Sequence, residues 1–331
     1  PIYANDVYSS NEVARVYEGL LEYHYLKRPY TLVPNLAEAM PIVSADGLTY
    51  TFKLRKGVMF HNDAAFDNGK GRELTAEDFV YSIKRLADPK LQALGWWLLD
   101  GKVKGLNEWR AKFADLTKVD YTEEVEGIKA LDRYTIQFQL AKPFPQFLYS
   151  LAMPFTFAVA KEVVTKYGKE FINHPVGTGP FILPVFKQSN KITYTKNPAF
   201  RKKLYPSDAS AEFKHLLKDA GKPLPFVDKV VVDILVESQP RWLNFQKGRI
   251  DYIVIPKDNF DSAVIPGKGI TDELAKKGIS LLVTPSLDVT YTAYNHDREL
   301  FRNLKLRQAM SAAYDPAQSN TLFYNNNALP A

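Results

Sequence analysis

The chain has 331 residues, 46% of them hydrophobic and 24% charged, with a formal net charge of +6 and no cysteine. That length and apolar content suit about two domains with real cores, and the lack of thiols excludes a disulfide framework, a thiolate nucleophile and a thiolate metal site. Dense basic runs occur only at Arg201-Lys202-Lys203 and Lys276-Lys277, so no nucleic-acid partner is expected.

The first 43 residues predict one helix, about Asn11 to Leu21, led in by Asn5-Asp6-Val7-Tyr8-Ser9 with Ser9 or Ser10 as its cap. Asp46-Gly47 is a turn signal ahead of a strand. In that strand Leu48, Tyr50, Phe52 and Leu54 share one face, and Thr49, Thr51, Lys53 and Arg55 the other. A polar insert from His61 to Arg72 follows. Thr75 then caps a helix whose first turn carries Glu77 and Asp78, where the dipole favours carboxylates. Phe79, Val80, Ile83 and Leu86 form its apolar face, and Asp88-Pro89 stops it.

Trp96 and Trp97 follow Gly95 in a loop, and Trp109 lies on a helix where packing is its expected role. Two adjacent tryptophans in extended chain face opposite ways, so at most one of Trp96 and Trp97 is expected to meet a ligand. A strand pair falls near 125 to 140, and Pro143, Pro145 and Pro154 break up the aromatic stretch after it. A short helix ends at Tyr167-Gly168. His174-Pro175-Val176-Gly177-Thr178-Gly179-Pro180 reads as a turn, because it lacks the third glycine and the Lys-Ser/Thr step of a phosphate loop. A strand from Lys229 to Leu235 and a helix ending at Gly248, a left-handed cap, complete the clear signals. Strands and helices alternate without a sustained βαβ rhythm, which makes the fold class mixed α/β.

In order and spelling these segments go further than secondary structure. Leu48-Thr49-Tyr50-Thr51-Phe52-Lys53-Leu54-Arg55-Lys56-Gly57-Val58-Met59-Phe60-His61, then Leu74-Thr75-Ala76-Glu77-Asp78-Phe79-Val80-Tyr81-Ser82, resemble the signature of the family 5 extracellular solute-binding proteins. These are the peptide, dipeptide and nickel receptors of ABC importers. Tyr17-Glu18-Gly19-Leu20-Leu21, Ile128-Lys129-Ala130-Leu131-Asp132, Gly177-Thr178-Gly179-Pro180-Phe181, Gly248-Arg249-Ile250-Asp251 and Leu306-Arg307-Gln308-Ala309-Met310 follow in family order. The polar insert at His61 to Arg72 is longer than the turn of many relatives.

The resemblance implies a bilobed periplasmic-binding-protein fold, type II-like, with an extra accessory lobe. Residues 1–17 and 161–287 would form a discontinuous lobe I, 18–160 the accessory lobe II, and 288–331 the start of lobe III. Relatives are longer, so the pattern reads as part of a larger receptor whose export signal and remaining lobe lie outside it. The implied function is capture of a peptide between two lobes and delivery to an inner-membrane ABC permease, by an exported monomer in the periplasm, free or lipid-anchored. Other solutes in the same fold (a nickel chelate, a sugar, an opine) stay open, as does a noncatalytic interaction protein derived from such a receptor.

By the same resemblance Asp6, Val7 and Tyr8 would pair their backbone with a bound peptide, as an added strand pairs with a sheet edge. Trp96 or Trp97 would supply a cleft wall, and Tyr294 and Asn295 would face solute from a crossover strand beginning near Asp288. No enzyme is expected: the five histidines are far apart in sequence, and neither a His-Glu-x-x-His nor a Gly-x-Ser-x-Gly pattern occurs. No cofactor is implied.

Overall fold

The computed structural model describes residues 1–183, 191–284 and 288–329. It divides into two units, Pro1–Ile234 and Leu235–Ala331. This division sets one boundary, where the resemblance implied several.

In the first unit, α1 spans Val7–Val16, not Asn11 to Leu21. It begins earlier because Asp6, rather than a serine, is the cap: its carboxylate accepts the Ser9 backbone N–H at 2.8 Å. It ends earlier because the chain from Tyr17 onward is extended and buried, with Tyr17, Leu20 and Leu21 no more than 4% exposed. Leu21–Tyr23 (β1) pairs antiparallel with Leu32–Pro34 (β2).

The alternating segment forms a strand as expected. Ile42–Val43 (β3), Thr49–Lys53 (β4), Ile128–Asp132 (β5) and Thr135–Gln139 (β6) make an antiparallel sheet in the order β3-β4-β6-β5. Phe52 lies opposite Ile136, and Tyr50 opposite Phe138. Helix α2 (Ala76–Ala87) opens with a Thr75–Asp78 capping box. It buries Phe79, Val80, Ile83 and Leu86 in one apolar cluster with the sheet residues Phe52 and Phe138. Leu106–Lys112 (α3) buries Trp109, as expected. After Phe147–Ser150 (α4) and Lys161–Tyr167 (α5) the chain enters a second antiparallel sheet. Its strands are Phe181–Ile182 (β7), Lys191–Lys196 (β8) and Lys229–Asp233 (β11), ordered β11-β8-β7. Tyr194 of this sheet joins Val16, Tyr17 and Phe157 in a separate apolar cluster.

Between β8 and β11 an arm reaches across to the turn after β1. Lys203–Leu204 (β9) and Pro223–Leu224 (β10) form its base. His24, 9% exposed, hydrogen-bonds Asp208 at 2.9 Å and accepts the Leu26 N–H on its other nitrogen at 3.2 Å. Ser210 donates its N–H to the Leu26 carbonyl at 2.8 Å and accepts the Arg28 N–H on Oγ at 2.7 Å. The His61–Arg72 insert is equally tied down. Tyr167 donates its hydroxyl to Asp63, and Arg72 grips Asp78 at 2.6 and 2.9 Å and Glu162 at 2.6 and 2.8 Å.

A buried polar knot joins α1, β2, the insert and the second sheet. Glu18, 5% exposed, accepts from Arg201 at 2.6 Å and from the Thr178 hydroxyl at 2.9 Å, while Arg201 reaches Asn35 at 2.5 Å. The turn Gly177–Pro180 lies directly on the end of α1: Gly179 donates its N–H to the Val16 carbonyl at 2.8 Å, and a Cβ on Gly177 would stand 2.1 Å from that oxygen. Only glycine permits this approach. His61 closes the knot by donating from Nε2 to the Gly179 carbonyl at 2.9 Å, which leaves Nδ1 buried with no partner.

The second unit is smaller. Ser238–Gln246 (α6) ends at Gly248, whose φ of 68° is the expected left-handed cap. Phe260–Ala263 (α7), Val264–Ile265 (β12), Gly269–Ile270 (β13) and Asp272–Lys276 (α8) surround a cluster of Trp242, Ala263 and Leu274. Glu299–Arg302 (α9), Leu304–Ala313 (α10) and Pro316–Tyr324 (α11) follow.

Removing one side of the knot strands the other. Arg201→Met is expected to destabilise the fold by about 3 kcal/mol, because Glu18 keeps its charge in a buried place. Urea unfolding checks this, and a loss well below about 1 kcal/mol would show that water replaces the guanidinium. His61 adds a pH signature. Burial, opposed weakly by the Gly179 bond and by Glu18, holds its pKa below the ordinary 6.5. The unfolded chain therefore takes up the proton first, so this stabilisation is complete above pH 6.5 and drains away as pH falls below it. Comparing urea midpoints at about pH 7.5 and about pH 5.5, the wild type should lose more than His61→Gln.

Candidate functional site

Asp6 has extended backbone, with φ −122° and ψ 163°, but Val7 and Tyr8 already belong to the first turn of α1. The expected strand-like edge across Asp6, Val7 and Tyr8 is therefore not formed. A helical turn spends its carbonyls along its own axis, and the Asp6 carbonyl accepts the Ser10 N–H at 3.0 Å. The side chains are free: Val7 is 66% and Tyr8 79% exposed. The Ser9 hydroxyl and then the Ser9 N–H hold the Asp6 carboxyl below its ordinary pKa of 3.8, so the cap stays ionised at neutral pH.

The segment just before α1 runs along the tryptophan loop. Leu94 donates its N–H to the Ile2 carbonyl at 3.1 Å, and Tyr3 donates its hydroxyl to the Leu91 carbonyl at 2.7 Å. Gly95 lies so close to Phe155 that a Cβ would stand 2.4 Å from the ring. From there the chain turns through a single 3-10 turn, Trp96–Leu98. Trp96 is half-buried, with the Arg110 guanidinium 4.8 Å from its ring centre, while Trp97 is 58% exposed. The adjacent rings thus part company as expected, though by a helical turn and not by a strand. The surface beside the N-terminal segment includes Tyr3 and Leu94, 45% and 48% exposed, which sequence reading did not single out. Nothing local marks them, since their proximity is tertiary.

Tyr294 and Asn295 belong to the second unit. The expected crossover strand is not formed: residues 288 to 295 are coil, and no strand among the described residues pairs with them. Unpaired backbone in water has no ladder to hold it extended. The half-buried Tyr294 ring lies 5.7 Å from Phe301, and the Asn295 carboxamide accepts the Asp297 N–H at 2.9 Å. Among the described residues no group of three His, Asp or Glu side chains is placed to hold a metal ion. None of these helices is long and apolar enough to cross a membrane. What the candidate residues present is aromatic and aliphatic contact area with a capped helix start, the equipment of recognition.

Solved periplasmic binding proteins share this fold. A DppA binding protein from Helicobacter pylori, solved in complex with the peptide STSA, overlays 100% of this chain on 57% of its own length, with a TM-score of 0.67 at 24% identity. A periplasmic oligopeptide-binding protein from Borrelia burgdorferi gives a TM-score of 0.70 at 22% identity, covering 99% of this chain and 57% of that one. The chain belongs to the bacterial extracellular solute-binding proteins, family 5, whose middle region matches residues 31–331. Similar curated proteins include the di/tripeptide-binding protein 2 of Pseudomonas aeruginosa, 26% identical over 91% of this chain and 49% of that protein. Haem-binding protein A of Haemophilus influenzae is 29% identical over 91% of this chain and 48% of its own. This chain spans about half the length of the curated relatives it matches.

Asp6→Ala is expected to speed amide hydrogen exchange at Ser9 and Ser10 without touching the sheet residues. Because the Asp6 pKa is lowered, the wild-type protection should persist above pH 3.8 and fade only as pH drops through the lowered value. Unchanged exchange in the variant would mean that the first turn is held by something other than its cap.

Proposed function

We propose that this chain is the capturing part of a noncatalytic receptor that takes up short peptides outside the inner membrane and hands them to an ABC permease. The observation that carries the reading is the family match across residues 31–331. It is supported by relatives named for di- and tripeptides and by the exposed Tyr8 and Trp97, which offer side-chain contacts beside a helix start. The receptor works as a monomer in the periplasm. Residues 1–17 and 161–287 form its first lobe, 18–160 the accessory lobe and 288–331 the beginning of the third. Capture is by hinge closure, driven by a solute that binds the closed form better than the open one. In the first unit Asp6 fixes the start of α1, and Val7, Tyr8 and one of the two tryptophans, Trp97, touch solute; in the second, Tyr294 and Asn295 are the residues assigned to solute.

A second reading, in which the solute is haem, is favoured by the Haemophilus relative, as similar to this chain as the peptide-named ones. A thermal-shift titration separates them. Pooled di- and tripeptides at about 100 times their dissociation constant should stabilise the protein by about 2.7 kcal/mol. Tyr8→Ala and Trp97→Ala should weaken that binding while leaving the unliganded melting temperature in place. A saturable shift with haem and none with any peptide pool would replace the peptide reading with the second one.

A further inference from the structure

We propose that a groove on the flank of the first unit, apart from the residues assigned above, binds a small organic anion, a mono- or dicarboxylate with an apolar body, through Lys84. The groove lies between α2, the loop at Tyr121–Val125, β5 and α5, is open to solvent along one side, and has a volume of about 1040 Å³. That is ample for a small molecule.

Lys84 is the unusual group there. It is 5% exposed, yet its ammonium finds a single acceptor, the Tyr121 carbonyl at 3.0 Å. Among the described residues no carboxylate lies within ion-pair distance of it. An ammonium carries three donors, and a buried one without a counter-charge is costly. Burial accordingly pulls its pKa below the ordinary lysine value, while Glu77, Glu124, Asp120 and Glu123 oppose that from a distance. A carboxylate seated against Lys84 would supply the missing acceptors and the counter-charge together.

The rest of the lining favours the same ligand class. Arg72 is already committed to two carboxylates, Asp78 and Glu162, which it holds in two-pronged bonds. Over the whole lining Arg72, Lys84, Lys129, Lys161 and Lys166 face Glu77, Asp78, Glu124 and Glu162, five cations to four carboxylates. Tyr81 and Tyr121, with ring centres 5.0 Å apart, and Leu131 give the groove an apolar side that an inorganic ion would not use.

The test is calorimetric titration of the whole protein at low ionic strength with phthalate, benzoate and inorganic phosphate. Phthalate should bind saturably and more tightly than benzoate, and added salt should weaken both. Lys84→Met, which keeps the buried stem, should weaken phthalate about tenfold or more. Lys129→Gln, at an exposed position that does not threaten the fold, should weaken it by about two- to fivefold. Failure of both carboxylates to bind, undiminished binding in both variants, or binding of phosphate alone would each overturn the proposal.

Discussion

The first unit depends on one close approach, the laying of Gly177–Gly179 against the end of α1. Because no side chain intervenes, the Gly179 N–H can take the Val16 carbonyl, and Thr178 is delivered to Glu18. Glu18 in turn anchors Arg201, and Arg201 anchors Asn35 beside β2. Each link satisfies a group that would otherwise be buried and bare, so the links stand together. Such networks are strong when complete and weak when broken, since the low dielectric that sharpens each bond also penalises each orphan. The same contact decides where the first helix ends, and therefore where the exposed Val7 and Tyr8 sit relative to the core.

The first unit thus offers two kinds of surface. Around α1 and the tryptophan loop, side chains stand free while the backbone beneath them is tied by Ile2–Leu94 and Tyr3–Leu91 bonds. Rigid backbone under free rings is a good arrangement for recognition, because little ordering remains to be done when a ligand arrives. The groove beside α2 is different in kind. There the cation is buried and the counter-charge is wanting, so charge, rather than area, sets what can enter.

Much of the fold was legible in the sequence. The strand around Tyr50 and Phe52 and the helix from Ala76 to Ala87 follow from periodicity and capping chemistry, both local properties. Family order identified the family, whose model matches residues 31–331. The errors came where a distant contact decides. The expected cap is Ser9 or Ser10 where Asp6 serves, and the expected helix runs to Leu21 where the observed one ends at Val16, whose carbonyl takes the N–H of Gly179, far along the chain. Residues 288 to 295 are expected to be a strand from family resemblance alone, but a strand exists only when another pairs with it. Tyr3 and Leu94 carry no signal of their own, and Lys84 reads in sequence as one more solvated helix lysine.

The arm that carries Asp208 and Ser210 meets a turn made some 180 residues earlier in the chain. For a polypeptide synthesised from its N-terminus at about 5–20 residues per second, that gap lasts roughly ten to forty seconds. During it His24, Asn35 and Glu18 exist without the partners that justify their burial. The turn after β1 and the buried knot therefore cannot complete their burial until the arm has been made.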